Sequence, residues 1–220
     1  MPLTTTEFPV LVPAGNVEIT GDLTVPTHRH IHGLVIFAHG SGSGRFSPRN
    51  KFVAEVLNEG GFATLLLDLL TQEEELIDQR TGQIRFDIAL LARRVEYAID
   101  WAHNDPRMRG VPIGLFGAST GAAAALIAAA HRHEVRAVVS RGGRPDLGGE
   151  TLGVVRVPTL LIVGGDDEVV IDLNRQAMAR MNTAVHLEII PGASHLFEEG
   201  DTLAQAAQQA RAWFDEYLRN

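Results

Sequence analysis

The segment Gly117-Ala118-Ser119-Thr120-Gly121 follows directly on the apolar run Ile113-Gly-Leu-Phe116. A serine with glycine two places before and two places after it, between a strand and a helix, allows a turn so tight that the hydroxyl projects into a cleft. A serine hydroxyl is a poor nucleophile until a histidine takes its proton. That histidine in turn needs a carboxylate to fix its tautomer and stabilise the imidazolium. Both partner types lie downstream, each in a loop after an apolar run: Gly164-Gly-Asp166-Asp167-Glu168 after Leu160-Leu-Ile-Val163, and Pro191-Gly-Ala-Ser-His195 after Leu187-Glu-Ile-Ile190. The chemistry open to these groups is acyl transfer through a covalent intermediate on Ser119, with His195 as base and one of the two aspartates orienting it. The loop His39-Gly40-Ser41-Gly42-Ser43-Gly44 could present a backbone amide to a developing oxyanion, with the Thr120 amide as its partner.

Residues so far apart in the chain act together only if the runs before them lie side by side. Leu65-Leu-Leu67 and Leu160-Leu-Ile-Val163 are apolar on both faces, as parallel strands covered by helices on either side must be. Extended segments are expected at residues 8–12 and 17–25, a hairpin around Gly15-Asn16, and then at 34–38, 62–67, 112–116, 135–139, 159–163 and 185–190. Helices are expected at about 49–59, 85–103, 120–131, 173–181 and 202–218, with Ile88, Leu91, Val95 and Ile99 at helical spacing in the second. Residues 68–83 read as a polar loop. The alternation predicts a doubly wound α/β sandwich. Ligands of such sheets bind at the carboxyl ends of the strands, where Ser119, the aspartates, His195 and the glycine-rich loop all fall.

The chain of 220 residues has no linker or break in composition, so one domain over residues 1–220 is expected. Hydrophobic residues at 45% and charged residues at 21% are those of a folded enzyme. The absence of cysteine removes a cysteine nucleophile, disulfides and thiolate metal sites from consideration. A net charge of -8 with no basic block argues against nucleic acid as a partner. Residues 1–10 lack the basic and apolar regions of a leader, and no apolar run is long enough to span a bilayer, so a cytoplasmic protein away from membranes is expected, as a monomer or small homo-oligomer.

Other residues invite a functional reading beside a plainer one. His28, His30 and His32 alternate, but no carboxylate accompanies them at ligand spacing, and no metal is expected. His131 and His133 end a helix, where polar side chains are ordinary. His39 is expected to hold its loop rather than to transfer protons. Arg141 and Arg144, after the strand at 135–139, and Arg45, in the first loop, fall on the edge that carries Ser119. They read either as surface ion pairs or as recognition of a substrate carboxylate or phosphate. The acidic stretch at residues 72–78 sits where a lid could lie, and reads first as a solvated surface.

Together these motifs resemble the α/β-hydrolase family, and within it the small, capless dienelactone hydrolase-like branch, over nearly the whole chain. The resemblance implies an eight-stranded, mostly parallel sheet with one early antiparallel strand, and an oxyanion loop at His39-Gly40-Ser41 that makes Ser41 the partner of Thr120. It also implies a triad acid in a Gly-x-x-Asp-x-Val-Val pattern, which laid on Gly164 to Val170 selects Asp167 over Asp166. One departure stands out: Ser119 occupies the position where dienelactone hydrolases proper carry cysteine, which points away from dienelactone as substrate. The likeness implies cleavage of carboxylic esters or related small acyl substrates without a cofactor. An acyltransferase using the same acyl-enzyme, or a noncatalytic binding protein on the same fold, are the alternatives.

Overall fold

The computed structural model describes residues 4–27 and 30–219. Strands β1 (Thr5–Ala14) and β2 (Val17–Pro26) form an antiparallel hairpin in which Ala14 faces Val17 across the Gly15-Asn16 turn. Gly15 has φ of 77°, a backbone conformation that glycine adopts without steric penalty. The remaining strands are β3 (Leu34–Ala38), β4 (Ala63–Leu67), β5 (Ile113–Ala118), β6 (Val135–Arg141), β7 (Thr159–Gly164) and β8 (Val185–Ile190). All eight join one sheet in the order β1-β2-β4-β3-β5-β6-β7-β8. Only β2 runs against its neighbours, pairing antiparallel with both β1 and β4, while the pairs from β4 through β8 are parallel.

Among the described residues, six helices cover the sheet: α1 (Pro48–Glu59), α2 (Gln72–Thr81), α3 (Ile88–Asn104), α4 (Thr120–His131), α5 (Glu168–Met178) and α6 (Thr202–Leu218). Every residue of β3, β4, β5 and β7 is buried. One apolar layer joins β3, β4 and β5 to α3 and α4, and the other joins them and β7 to α1 and α6. The small side chains Ala122 to Ala125 and Ala128, all fully buried, let α4 lie close on the sheet. On the opposite face Gly114 leaves room for Phe214. A Cβ at Gly114 would stand 2.6 Å from the Phe214 ring, closer than carbon atoms approach.

The expected layout holds, with three differences of detail. The polar stretch at 68–83 contains α2, whose only buried residue is Asp78, so it has no apolar stripe to announce it. Its signature is a capping box, with the Thr71 hydroxyl accepting from the Glu74 amide and the Glu74 carboxylate accepting from the Thr71 amide. Ion pairs anchor it: Glu74 to Arg94 of α3 at 2.6 Å and Asp78 to Arg85 at 2.5 Å. Helix α5 starts at Glu168 rather than near residue 173, because the acidic loop after β7 is itself the helix start. Residues Pro145–Val154 form 3-10 turns that pack on α4. Among the described residues, no helix is long and apolar enough to cross a membrane.

His39, the residue after β3, locks its loop to the end of β4. Its Nδ1 lies 2.8 Å from the Gly40 carbonyl, and the Leu69 amide donates to Nε2 at 2.9 Å. These bonds select the neutral ring with its proton on Nδ1. Burial pushes the imidazole below its ordinary value of 6.5, outweighing the Gly40 bond and the negative charges of Asp68 and Glu75. The unfolded chain therefore binds a proton here at higher pH than the folded one. Stability from this group is complete above pH 6.5 and declines as the pH falls below it. Urea titrations should show unfolding free energy decreasing between about pH 7 and about pH 5, with a shallower decline in His39→Gln. Parallel profiles would dismiss His39 as the cause. In the core, Phe214→Ala should lower the unfolding free energy by about 3–5 kcal/mol. Leu11→Ala, at a β1 position that is 58% exposed, should change it by less than about 0.5 kcal/mol in the same titration.

Candidate active site

Strand β5 delivers Ser119 at its carboxyl end, and α4 begins at the next residue. Ser119 has φ of 50° and ψ of -124°, a combination that side-chain-bearing residues rarely adopt. Such strain, of order 1–3 kcal/mol, persists only where the surroundings over-determine it. Here the Ser119 amide donates to the Arg141 carbonyl at 3.4 Å, and the Ser119 carbonyl accepts from Ala122 at 3.1 Å and Arg144 at 3.0 Å. The flanking glycines are sterically required. A Cβ at Gly117 would lie 2.4 Å from the Ala122 Cα, and one at Gly121 would lie 2.1 Å from the Ala38 carbonyl oxygen. The loop after β3 presses on the serine itself, since a Cβ at Gly40 would stand 2.8 Å from the Ser119 Cβ.

Asp167 follows β7 as the residue that starts α5, and its carboxylate caps none of the helix amides. It accepts instead from His195, with Nδ1 to Oδ2 at 2.7 Å. Asp166 is exposed, and its amide donates to the Ala193 carbonyl at 3.0 Å. This bond, with the Gly165 amide on the Ile190 carbonyl at 2.8 Å, laces the acidic loop to the histidine loop. Gly164 makes their approach possible, because a Cβ there would stand 2.4 Å from the Ala193 carbonyl oxygen. Ser119 and His195 line one cleft of about 270 Å³ together with Gly40, Ser41, Arg49, Asn50, Arg141 and Leu196. The His195 side chain is 40% exposed, so water reaches the imidazole.

The Ser41 amide stands at this cleft but donates to the Thr120 hydroxyl oxygen at 3.0 Å. Thr120 opens α4, so its own amide is among those that a helix N-terminus leaves without an intrahelical partner. The arginines Arg45, Arg141 and Arg144 part company. Arg45 forms ion pairs with Asp22, at 3.1 Å, and with Asp68. Arg144 forms a two-pronged pair with Asp146 at 2.9 and 2.8 Å, which holds its guanidinium above its ordinary value. Arg141 alone of the three lines the cleft with Ser119. Two further lining residues, Arg49 and Asn50 in the first turn of α1, carry no mark in the sequence because they lie inside a helix rather than at a strand end. The signal that could have found them is the N-cap Ser47 with Pro48, which aims the start of α1 toward the site.

A second groove of about 1070 Å³ adjoins the first through Ser41, Ser43, Ser47 and Arg49, and α2 forms its far wall with Gln72, Glu75, Leu76 and Gln79. The acidic stretch thus borders the approach to the site. Among the described residues, no group of three or more histidine and carboxylate side chains is placed to hold a metal ion. His28 lies outside the described residues, while His30 and His32 make an edge-on ring contact with centroids 5.7 Å apart.

The chain is similar to known proteins over most of its length. The family model for the dienelactone hydrolase family matches residues 19–217. A crystal structure described as dienelactone hydrolase from Anabaena variabilis superposes with a TM-score of 0.95 at 55% identity, covering 98% of this chain and 99% of that one. Est1E from Butyrivibrio proteoclasticus has the same fold, with a TM-score of 0.78 at 16% identity over 94% of this chain and 98% of its own. Two curated Mycobacterium tuberculosis proteins, each described as "Putative phosphoribosyl transferase", are 55% identical over 210 residues, 95% of this chain. The chain spans 46% of the length of these curated relatives. With a family match over most of its length and a 55% identical relative of the same architecture, this chain belongs to the dienelactone hydrolase family.

Proposed function

We propose that this chain is a serine hydrolase that cleaves small carboxylic esters through an acyl-enzyme on Ser119. The observation that carries the reading is the strained Ser119 elbow opening into the same cleft as an imidazole held at 2.7 Å by Asp167. In this mechanism Nε2 of His195 takes the Ser119 proton as Oγ attacks the ester carbonyl, and then returns it to the departing alkoxide. Asp167, accepting from Nδ1, keeps Nε2 free to act as base and stabilises the imidazolium. Water activated by the same imidazole then releases the acid and restores Ser119.

The developing oxyanion is met by the Thr120 amide at the N-terminus of α4, where the helix dipole also favours negative charge. The Ser41 amide joins it by exchanging or sharing its bond to the Thr120 hydroxyl when a carbonyl oxygen enters. The water-accessible His195 favours hydrolysis over transfer to another acceptor. Serine at the nucleophile of a chain without cysteine favours simple esters over dienelactone. The transferase name of the curated relatives belongs to proteins of which the matched region is less than half, whereas ester hydrolysis draws its support from the Ser119 site alone.

Incubation with a fluorophosphonate followed by peptide mass spectrometry should place one adduct on Ser119, abolished in Ser119→Ala and strongly slowed in His195→Ala. An adduct elsewhere, or none, would overturn the mechanism. With a chromogenic ester, Asp167→Asn should reduce kcat by about 10⁴-fold. Asp166→Asn should reduce it by less than about tenfold, its carboxylate making no contact with the imidazole. The opposite ranking would transfer the orienting role to Asp166.

A further inference from the structure

The Ser119 cleft contains a cation that the hydrolytic mechanism does not use. Arg141, the last residue of β6, is 7% exposed and lines the cleft with Ser119 and His195. It makes no ion pair with any described carboxylate, and the charged group nearest in effect is another cation, Arg49. Its Nη1 is buried without a hydrogen-bond partner, and Nη2 donates only to the Asn50 Oδ1 at 3.4 Å. Arg49 stands at the rim of the same cleft, tethered to Glu198 at 2.9 Å by a largely exposed pair. Such pairs contribute about 0–1 kcal/mol, so Arg49 exchanges partners easily.

Fold stability does not account for this placement. A guanidinium taken out of water without a counter-charge costs several kcal/mol, which is why buried arginines are ordinarily paired. Beside the long Asn50 bond, the compensating contact among the described residues is the Phe197 ring, with its centroid 5.8 Å from the guanidinium carbon. A cation–π contact of that kind contributes about 0.5–2 kcal/mol. Phe197 itself sits at φ of 57°, a strained backbone for a bulky residue, two positions after His195. The histidine loop is therefore strained at the residue that braces Arg141. Elsewhere around the sheet edge the chain supplies arginines with carboxylates, as Arg45 and Arg144 show. Desolvation by burial, with the neighbouring charge of Arg49, lowers Arg141 to about 10, the direction expected of a cation that lacks its anion.

We infer that Arg141, with Asn50 orienting it and Arg49 at the rim, forms a subsite for an anionic group, a carboxylate or a phosphoryl oxyanion, carried by the substrate beside the bond that Ser119 attacks. This rests on the reading of Ser119 as a nucleophile and assigns the class of ester: one bearing a negative charge. The planar, two-pronged guanidinium suits the paired oxygens of either group. Arg141 and Ser119 line the same cleft of about 270 Å³, so one bound molecule can meet both.

The test has a binding arm and a kinetic arm. Calorimetric titration of the full chain with succinate and, separately, with inorganic phosphate should show binding of at least one, and the tighter of the two identifies the group recognised. Arg141→Met should weaken that binding by at least about tenfold. Arg141→Lys, which keeps the charge and loses the fork, should fall between, and Arg144→Met, whose arginine is neutralised by Asp146, should match the wild type. In the kinetic arm, the ratio of kcat/KM for 4-nitrophenyl hemisuccinate to that for 4-nitrophenyl acetate should drop by at least about tenfold in Arg141→Met. A general structural defect would lower both rates and leave the ratio intact. If Arg141→Met does not fold, Arg141→Lys and Asn50→Ala provide the same comparison. Absence of binding to either anion in the wild type, or a ratio unmoved by the Arg141 variants, would overturn the subsite while leaving ester hydrolysis standing. Anion binding lost in Arg141→Met with neither ester cleaved would support the subsite and overturn the hydrolase reading.

Discussion

The backbone of Ser119 is held where serine does not go unaided, and most of the site's construction serves that one constraint. A strand that turns into a helix within a single residue brings three backbones together: the end of β5, the start of α4 and the loop after β3. There is no room for a side chain at Gly117, Gly121 or Gly40, because each Cβ would meet Ala122, Ala38 or Ser119 itself at under 3 Å. Hydrogen bonds from Ala122 and Arg144 to the Ser119 carbonyl hold the turn after it is made. The alanines of α4 extend the same logic, since a helix starting so abruptly lies close to the sheet and tolerates only small side chains there.

Charge around the site follows from what each loop has to satisfy. Asp167 stands where a helix-capping side chain ordinarily sits, yet its carboxylate turns to His195 and leaves the first amides of α5 without it. That exchange ties the position of the imidazole to β7 and β8 at once, through loops whose backbones are already bonded to each other. The loop after β3 is steadied differently. A neutral His39 accepts from the Leu69 amide and donates to the Gly40 carbonyl, which keeps Ser41 close to Thr120 without placing a charge beside the Ser119 loop. Against this settled background Arg141 is conspicuous as a buried charge with no carboxylate partner among the described residues.

The groove beside the cleft owes its wall to α2, a helix made almost entirely of polar residues. It contributes little apolar burial, and its stability comes from its caps and from Arg94 and Arg85, which pair with Glu74 and Asp78. A wall attached by ion pairs rather than by core packing opens more readily than the sheet beneath it, and it borders the groove that adjoins the Ser119 cleft.

How much of this is written in the residues themselves depends on the range of the interaction. The doubly wound sheet, its strand positions and the strand-end locations of Ser119, His195 and the aspartate pair were legible in the sequence, because strand burial and tight turns leave local signatures: runs such as Leu160-Leu-Ile-Val163 and glycines at fixed offsets. Helix α2 escaped because no apolar face repeats along it, although its capping box was there to be read. Charge was least legible. Arg45, Arg141 and Arg144 are equivalent as letters, each near a strand end. Whether an arginine meets a carboxylate is settled by side chains from distant parts of the chain. Asp22 and Asp68 reach Arg45, while Asn50 and Phe197 surround Arg141 and bring no negative charge. Local sequence determined where the chain bends and which segments are buried. Tertiary packing decided which aspartate meets the imidazole, which hydroxyl the Ser41 amide meets and which of the three arginines has no carboxylate beside it among the described residues, because each depends on contacts between segments that only the folded sheet brings together.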